Sequence, residues 1–180
     1  MIRDGAANLT LEAVGAEAGI SKASVLYDYK TKRALIRTLI ERRVAREEAL
    51  FQSLVDAEAG RPNAHVRSHL AATTRSFSDE ERSVGLNLCA ALAQDAELRE
   101  PVQHSIRATI DKIKATSTHP RGAALAFLAI EGLILLDWFG LHSFSQEDRA
   151  RLIADIGWLI EQTPVPPNEA PPDQASSSEG

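Results

Sequence analysis

The stretch "GISKASVLYDYKTKRAL", Gly19 to Leu35, gathers Lys22, Lys30, Lys32, Arg33, Tyr27, Tyr29, Ser21, Ser24 and Thr31 in a chain whose formal net charge is −5. These are side chains that bind a polyanion. Lys22 can donate to guanine or to phosphate, Ser24 can bond either, and the Ala23 methyl can touch a thymine methyl. Tyr27, Tyr29 and Lys32 suit the sugar-phosphate backbone, which positions a protein without reading sequence. A basic cluster alone is more often a solvated face, so the local structure that holds these residues decides between the two.

That structure is legible as caps and staples. Thr10 reads as an N-cap with Leu9 and Val14 as its hydrophobic staple, Ser21 as a second N-cap with Ile20 and Val25, and Thr31 as the start of a third helix. Between Leu11 and Tyr27 the pattern is helix, a short turn containing Gly19, and helix, with Val14, Ala18, Ile20, Val25 and Leu26 spaced to bury between them. This is a helix-turn-helix pattern, and it presents Lys22, Ala23, Ser24 and Tyr27 to the major groove. The free N–H groups of the helix capped by Thr10 can take a phosphate.

The rest of the chain reads as all-α, because apolar residues recur at three and four, and glycines and prolines fall at segment ends. The helix from Thr31 runs on through Leu35, Leu39, Ala45, Leu50 and Leu54 and stops at "AGRPN". Asn63 is expected to cap a helix to about Phe77, Ser78 and Glu81 to form a capping box for one through Leu92, and Leu98 to about Lys114 to form another. An apolar helix over 121–141 and a last helix opened by Ser145 and Asp148 complete the set. Three regions follow: a helix-turn-helix head at 1–43, a helical body at 44–163 and a disordered tail at 164–180, where proline, serine and acid leave little to bury.

Charge is segregated in the same way. Residues 1–46 hold nine Lys/Arg against five Asp/Glu, and the remainder eleven against twenty. A basic end on an acidic body suits a protein with one polyanion-binding surface. Cys89 is the single cysteine, which excludes an intrachain disulfide and fits a reducing compartment. The opening "MIRDGAANLT" has no apolar run of the kind a secretory signal needs, so a cytoplasmic location is expected. The segment Ala123 to Leu141 approaches spanning length, but Glu131 and Asp137 inside it argue for a buried interface helix and no membrane.

Other constellations are weaker. His65 and His69 stand four apart, yet no carboxylate or cysteine joins them at ligand spacing, so an exposed pair is expected and no metal. Asp95, Glu97 and His104 lack a nucleophile or phosphate loop, so no catalysis and no cofactor is assigned. Cys89, among apolar neighbours, reads as a buried thiol. Phe77, Cys89, Phe127 and Trp138 could line a ligand pocket or simply fill the core.

On "LTLEAVGAEAGISKASVLYDYKTKRALI" the sequence resembles the TetR family of bacterial transcriptional regulators, closely over residues 5–43. "AGISKASVLYDY" resembles the turn and recognition helix of that family. "YDYKTKRAL" resembles its aromatic pair, Pro-Ser-Lys and leucine, with Lys30 in place of the usual proline and Tyr29 in place of phenylalanine. "GLILLDWFGL" and the closing helix resemble the two dimerising helices, which implies Leu133, Leu136, Phe139, Ile156 and Leu159 at a two-fold interface. The resemblance also implies a further helix ahead of the helix-turn-helix. "MIRDG" covers only its last turn, so either the true start lies upstream or the head is incomplete. The expected protein is a cytoplasmic homodimer that binds a double-stranded DNA operator as a repressor and a small-molecule effector in its body. The rival expectation is a helical ligand-binding or scaffold dimer that has lost DNA binding.

Overall fold

The computed structural model describes residues 15–16, 18–58, 60–74 and 78–165, with Glu80 by its backbone alone. The expected cap Thr10, the pocket candidate Phe77 and most of the expected tail lie outside the described residues. The helices in order are α1 (Lys22–Asp28), α2 (Lys32–Ala57), α3 (Ala64–Ala72), α4 (Asp79–Gln94), α5 (Ala96–Thr116), α6 (Pro120–Phe139) and α7 (Gln146–Leu159). Among the described residues there is no strand, and the fold is all-α.

Helix starts follow side-chain chemistry. Ser21 Oγ accepts from the Ser24 N–H at 3.1 Å, Thr31 Oγ1 from Ala34 at 3.0 Å, and Ser145 Oγ from Asp148 at 3.0 Å. Ser78 and Glu81 close a reciprocal capping box on α4, and Asp95 takes the Glu97 N–H at 2.9 Å to start α5. Each bond satisfies a donor that a helix N-terminus leaves open.

Asn63 departs from expectation. It precedes α3 in the left-handed region, at φ 64°, and its side chain caps nothing. Instead it is buried, donates to Glu161 at 3.0 Å and accepts from the Thr118 N–H at 2.9 Å. It ties the start of α3 to the start of α6 and the end of α7. α3 also stops short of the expected Phe77, because the Thr73 and Thr74 hydroxyls donate to the carbonyls of Leu70 and Ala71, each at 2.7 Å. That side-chain bonding competes with continuation of the helix.

Two cores result. Val66, Ile113, Ala123, Ala126, Phe127, Ile130, Ile156 and Ile160 form one, with α6 at its centre. The other joins Leu35, Ile36 and Ile40 of α2 to Leu88 of α4 and Leu98 of α5, with Tyr29 packed against it. α2 has 26 residues, so it extends about 39 Å. Its stripe is narrower than expected: Ala45 and Leu50 face solvent, and burial is confined to its first half.

α6 is long and apolar enough to cross a bilayer by length and composition alone. Here it is a core helix that packs against α3, α4, α5 and α7. Gly122 allows the closest of these approaches, since a methyl group there would overlap the backbone oxygens of Leu159 and Gln162. Asp137, the acid near its end, pairs with Arg149 of α7 at 2.7 Å.

The expected interface residues divide in this packing. Leu133 and Ile156 are buried in the protomer's own core, and Leu159, half-buried, packs against it. Leu136 is half-buried and Phe139 is exposed. The apolar surface on these helices is instead Leu125, Leu128, Leu135, Phe139 and Trp158.

Candidate functional site

The N-terminal unit turns sharply before α1. The Ile20 N–H donates to the Gly15 carbonyl at 2.8 Å and Gly19 sits at φ 67°, a conformation that glycine adopts without strain. Beyond the turn, Lys22, Ala23, Ser24 and Tyr27 are all exposed on α1, Tyr27 to 88%. Ser24 Oγ is 3.0 Å from Ser21 Oγ, which keeps its hydroxyl at the helix start. Tyr29 and Lys32 are half-buried at the junction with α2. The expected burial between the two helices is only partly realised among the described residues. Val25 is buried, while Ala18, Ile20 and Leu26 are exposed.

Arg33 parts company with the other cations. Its Nε lies 2.7 Å from Asp95 Oδ2 and its Nη2 3.0 Å from Glu97. Arg37, one turn on, pairs with Glu41 and Glu100 and donates to the Glu97 carbonyl. The hydrogen bond from Arg33 holds the Asp95 carboxyl below the usual carboxylate range. Asp95 and Glu97, weighed in the sequence as an acid–base pair, therefore act as acceptors that moor α2 to the α4–α5 junction.

Beyond this mooring, α2 becomes the wall of a cavity of about 360 Å³ enclosed with α3, α4, α5 and α6. Cys89, Phe127 and Trp138, three of the four pocket candidates read from the sequence, line it. Burial pushes the Cys89 thiol up, which favours the unreactive thiol form.

Arg43, Phe51, His69 and Glu131 are among the lining residues that are not apparent as pocket residues in the sequence. The Arg43 guanidinium lies 5.0 Å from the Trp138 ring centroid and 2.7 Å from Glu47. His69 is buried, not exposed as expected. It stacks on Phe51 with centroids 4.0 Å apart and meets Phe127 edge-on at 5.1 Å. Burial, with a smaller contribution from His65, lowers its pKa to about 4, so the ring is neutral at neutral pH. The available signal was its place three residues after Val66, which puts both on the buried face of α3. Burial, and then the nearby Glu47 charge, pushes the Glu131 carboxyl up.

These features define an all-α body, built around one apolar helix and hollowed beside it, with a short exposed helix held at one end. A family model for the tetracyclin repressor-like C-terminal domain matches residues 63–161. The chain belongs to the TetR family of regulators. Comparison with curated proteins gives no match.

Proposed function

We propose that this protein is a ligand-responsive transcriptional regulator, a cytoplasmic homodimer that represses by binding a double-stranded DNA operator through α1 and lets go when a small molecule enters the body cavity. The observation that carries this reading is the double use of α2. Its first half, through Leu35, Ile36 and Ile40, belongs to a core against which Tyr29, the residue that caps the end of α1, packs, and its second half, from Arg43 to Val55, is a wall of the cavity. A ligand that displaces the wall shifts that junction.

Such coupling needs little energy, since about 1–3 kcal/mol changes occupancy about 5- to 150-fold. Lys22, Ala23, Ser24 and Tyr27 take the reading positions, Tyr29 and Lys32 the backbone positions. The exposed Leu125, Leu128, Phe139 and Trp158 of α6 and α7 form the two-fold contact, because apolar groups of this size gathered on one face mark an interface.

Selection of bound sequences from a random DNA pool tests the reading. The expected product is a near-palindrome with half-sites about 34–36 Å apart. Recovery of no enriched sequence counts against it and favours a helical ligand-binding dimer without DNA function.

A further inference from the structure

The cavity holds a carboxyl group that its own side chains leave without a partner. Glu47, Glu48 and Glu131 line it against Arg43 and Lys112. Arg43 is committed to Glu47, and Glu48 accepts from Ser105 Oγ at 2.8 Å. Lys112 is exposed and forms no ion pair among the described residues. His65 and His69, the remaining basic groups, are both pushed down by burial and stay neutral.

Glu131 therefore faces the cavity from α6 with no hydrogen bond or ion pair to any described residue. A carboxylate taken from water without a partner is destabilising, and an acid placed so in a cleft is a mark of a ligand site. A second observation points the same way. His69, 8% exposed, has its Nδ1 buried with no hydrogen-bond partner among the described residues.

We propose that the effector is an organic cation with an aromatic or apolar body, its cationic centre held by the Glu131 carboxylate and its body by Phe51, Phe127 and Trp138. This rests on the reading of the cavity as the effector site. The rings tolerate positive charge, as the placement of Arg43 over Trp138 illustrates. An anion would meet Glu131 as a like charge, and a neutral ligand would strip water from the carboxylate and return nothing. A cavity of about 360 Å³ suits a small drug-sized molecule.

Calorimetric titration of the full chain with three matched probes tests this: naphthylmethyl-trimethylammonium, the neutral hydrocarbon in which carbon replaces its nitrogen, and naphthylpropanoate. The cation is expected to bind at least about tenfold more tightly than either of the others, and Glu131→Gln to remove that preference while leaving the hydrocarbon's affinity unchanged. The wild-type comparison stands whether or not the variant folds. Equal binding of cation and hydrocarbon, tighter binding of the carboxylate, or a preference that survives Glu131→Gln overturns the charge assignment and leaves the cavity as an effector site. Failure of all three probes to bind overturns both.

Discussion

Arg33 Nε stands 2.7 Å from Asp95 Oδ2, joining the start of α2 to the turn between α4 and α5. The last cation of the Gly19–Leu35 stretch is thus turned toward the body, and its contribution to DNA affinity is expected to be small. Arg33→Ala is expected to leave the salt dependence of operator binding unchanged, while Lys32→Ala lowers the slope by about one unit and weakens all sequences evenly. Lys22→Ala lowers the slope and also relaxes base preference. Binding isotherms across a salt series separate the three variants, and an equal loss of slope for Arg33→Ala contradicts the assignment.

α1 has seven residues, and Val25 is the one it buries. Isolated helices below about 12–15 residues are marginal in water, so this one is held by few contacts. Amide exchange over Lys22–Tyr29 is expected to run at least about a hundredfold faster than in α6, which opens only with the core. Mass-spectrometric exchange reads both segments at once. Equal protection would mean that α1 is anchored more firmly than its described contacts allow.

The pKa of His69 in the folded protein, about 4, lies below the ordinary 6.5. Its contribution to stability is fully present above about 6.5 and is lost as pH falls toward about 4, because only the unfolded chain takes up the proton in that window. The loss is on the order of 3 kcal/mol. His69→Phe, which keeps a ring between Phe51 and Phe127, is expected to flatten that part of the curve. Urea denaturation at a series of pH values gives the comparison, and parallel curves for both proteins would contradict it.

The exposed and buried apolar residues of α6 and α7 make separable predictions. Leu128→Glu and Trp158→Glu alter side chains that are 62% and 64% exposed, and are expected to give a folded monomer where the wild type sediments as a dimer. Ile156→Glu is expected to unfold the protomer, since an unpaired charge in a core costs about 3–5 kcal/mol. A monomeric wild type, or a folded Ile156→Glu variant, contradicts the interface or the core assignment respectively.

The split between those residues also marks where the sequence ceased to be informative. Caps are local chemistry, so Ser21, Thr31, Ser78 with Glu81, and Ser145 were readable from neighbours three residues away, as was the all-α class. α6 is apolar around most of its circumference, so nothing in its pattern states which face meets the body. Leu133 was consequently expected at a surface that Leu125 and Leu128 occupy. Asn63 and His69 are buried through partners distant in the chain, Glu161 and Phe127 among them, and spacing carries no trace of those. Of the cavity, the aromatic residues on α6 and Cys89 were legible because they lie in apolar runs. Arg43 and Glu131 were not, because a charged side chain in a helix reads first as solvent-facing.

In the proposed mechanism α2 transmits the state of the cavity to the unit that meets DNA. Ala108 lines the cavity from α5 and is half-buried, so Ala108→Trp fills part of the space an effector would take, far from any residue proposed to touch DNA. The direct measurement is operator affinity by fluorescence anisotropy for the wild type and this variant at one salt concentration, with folding checked by circular dichroism. Tight, salt-sensitive binding by the wild type and at least about fivefold weaker binding by the folded variant are expected. Equal operator affinities for the two folded proteins, or no operator binding by the wild type, would contradict it.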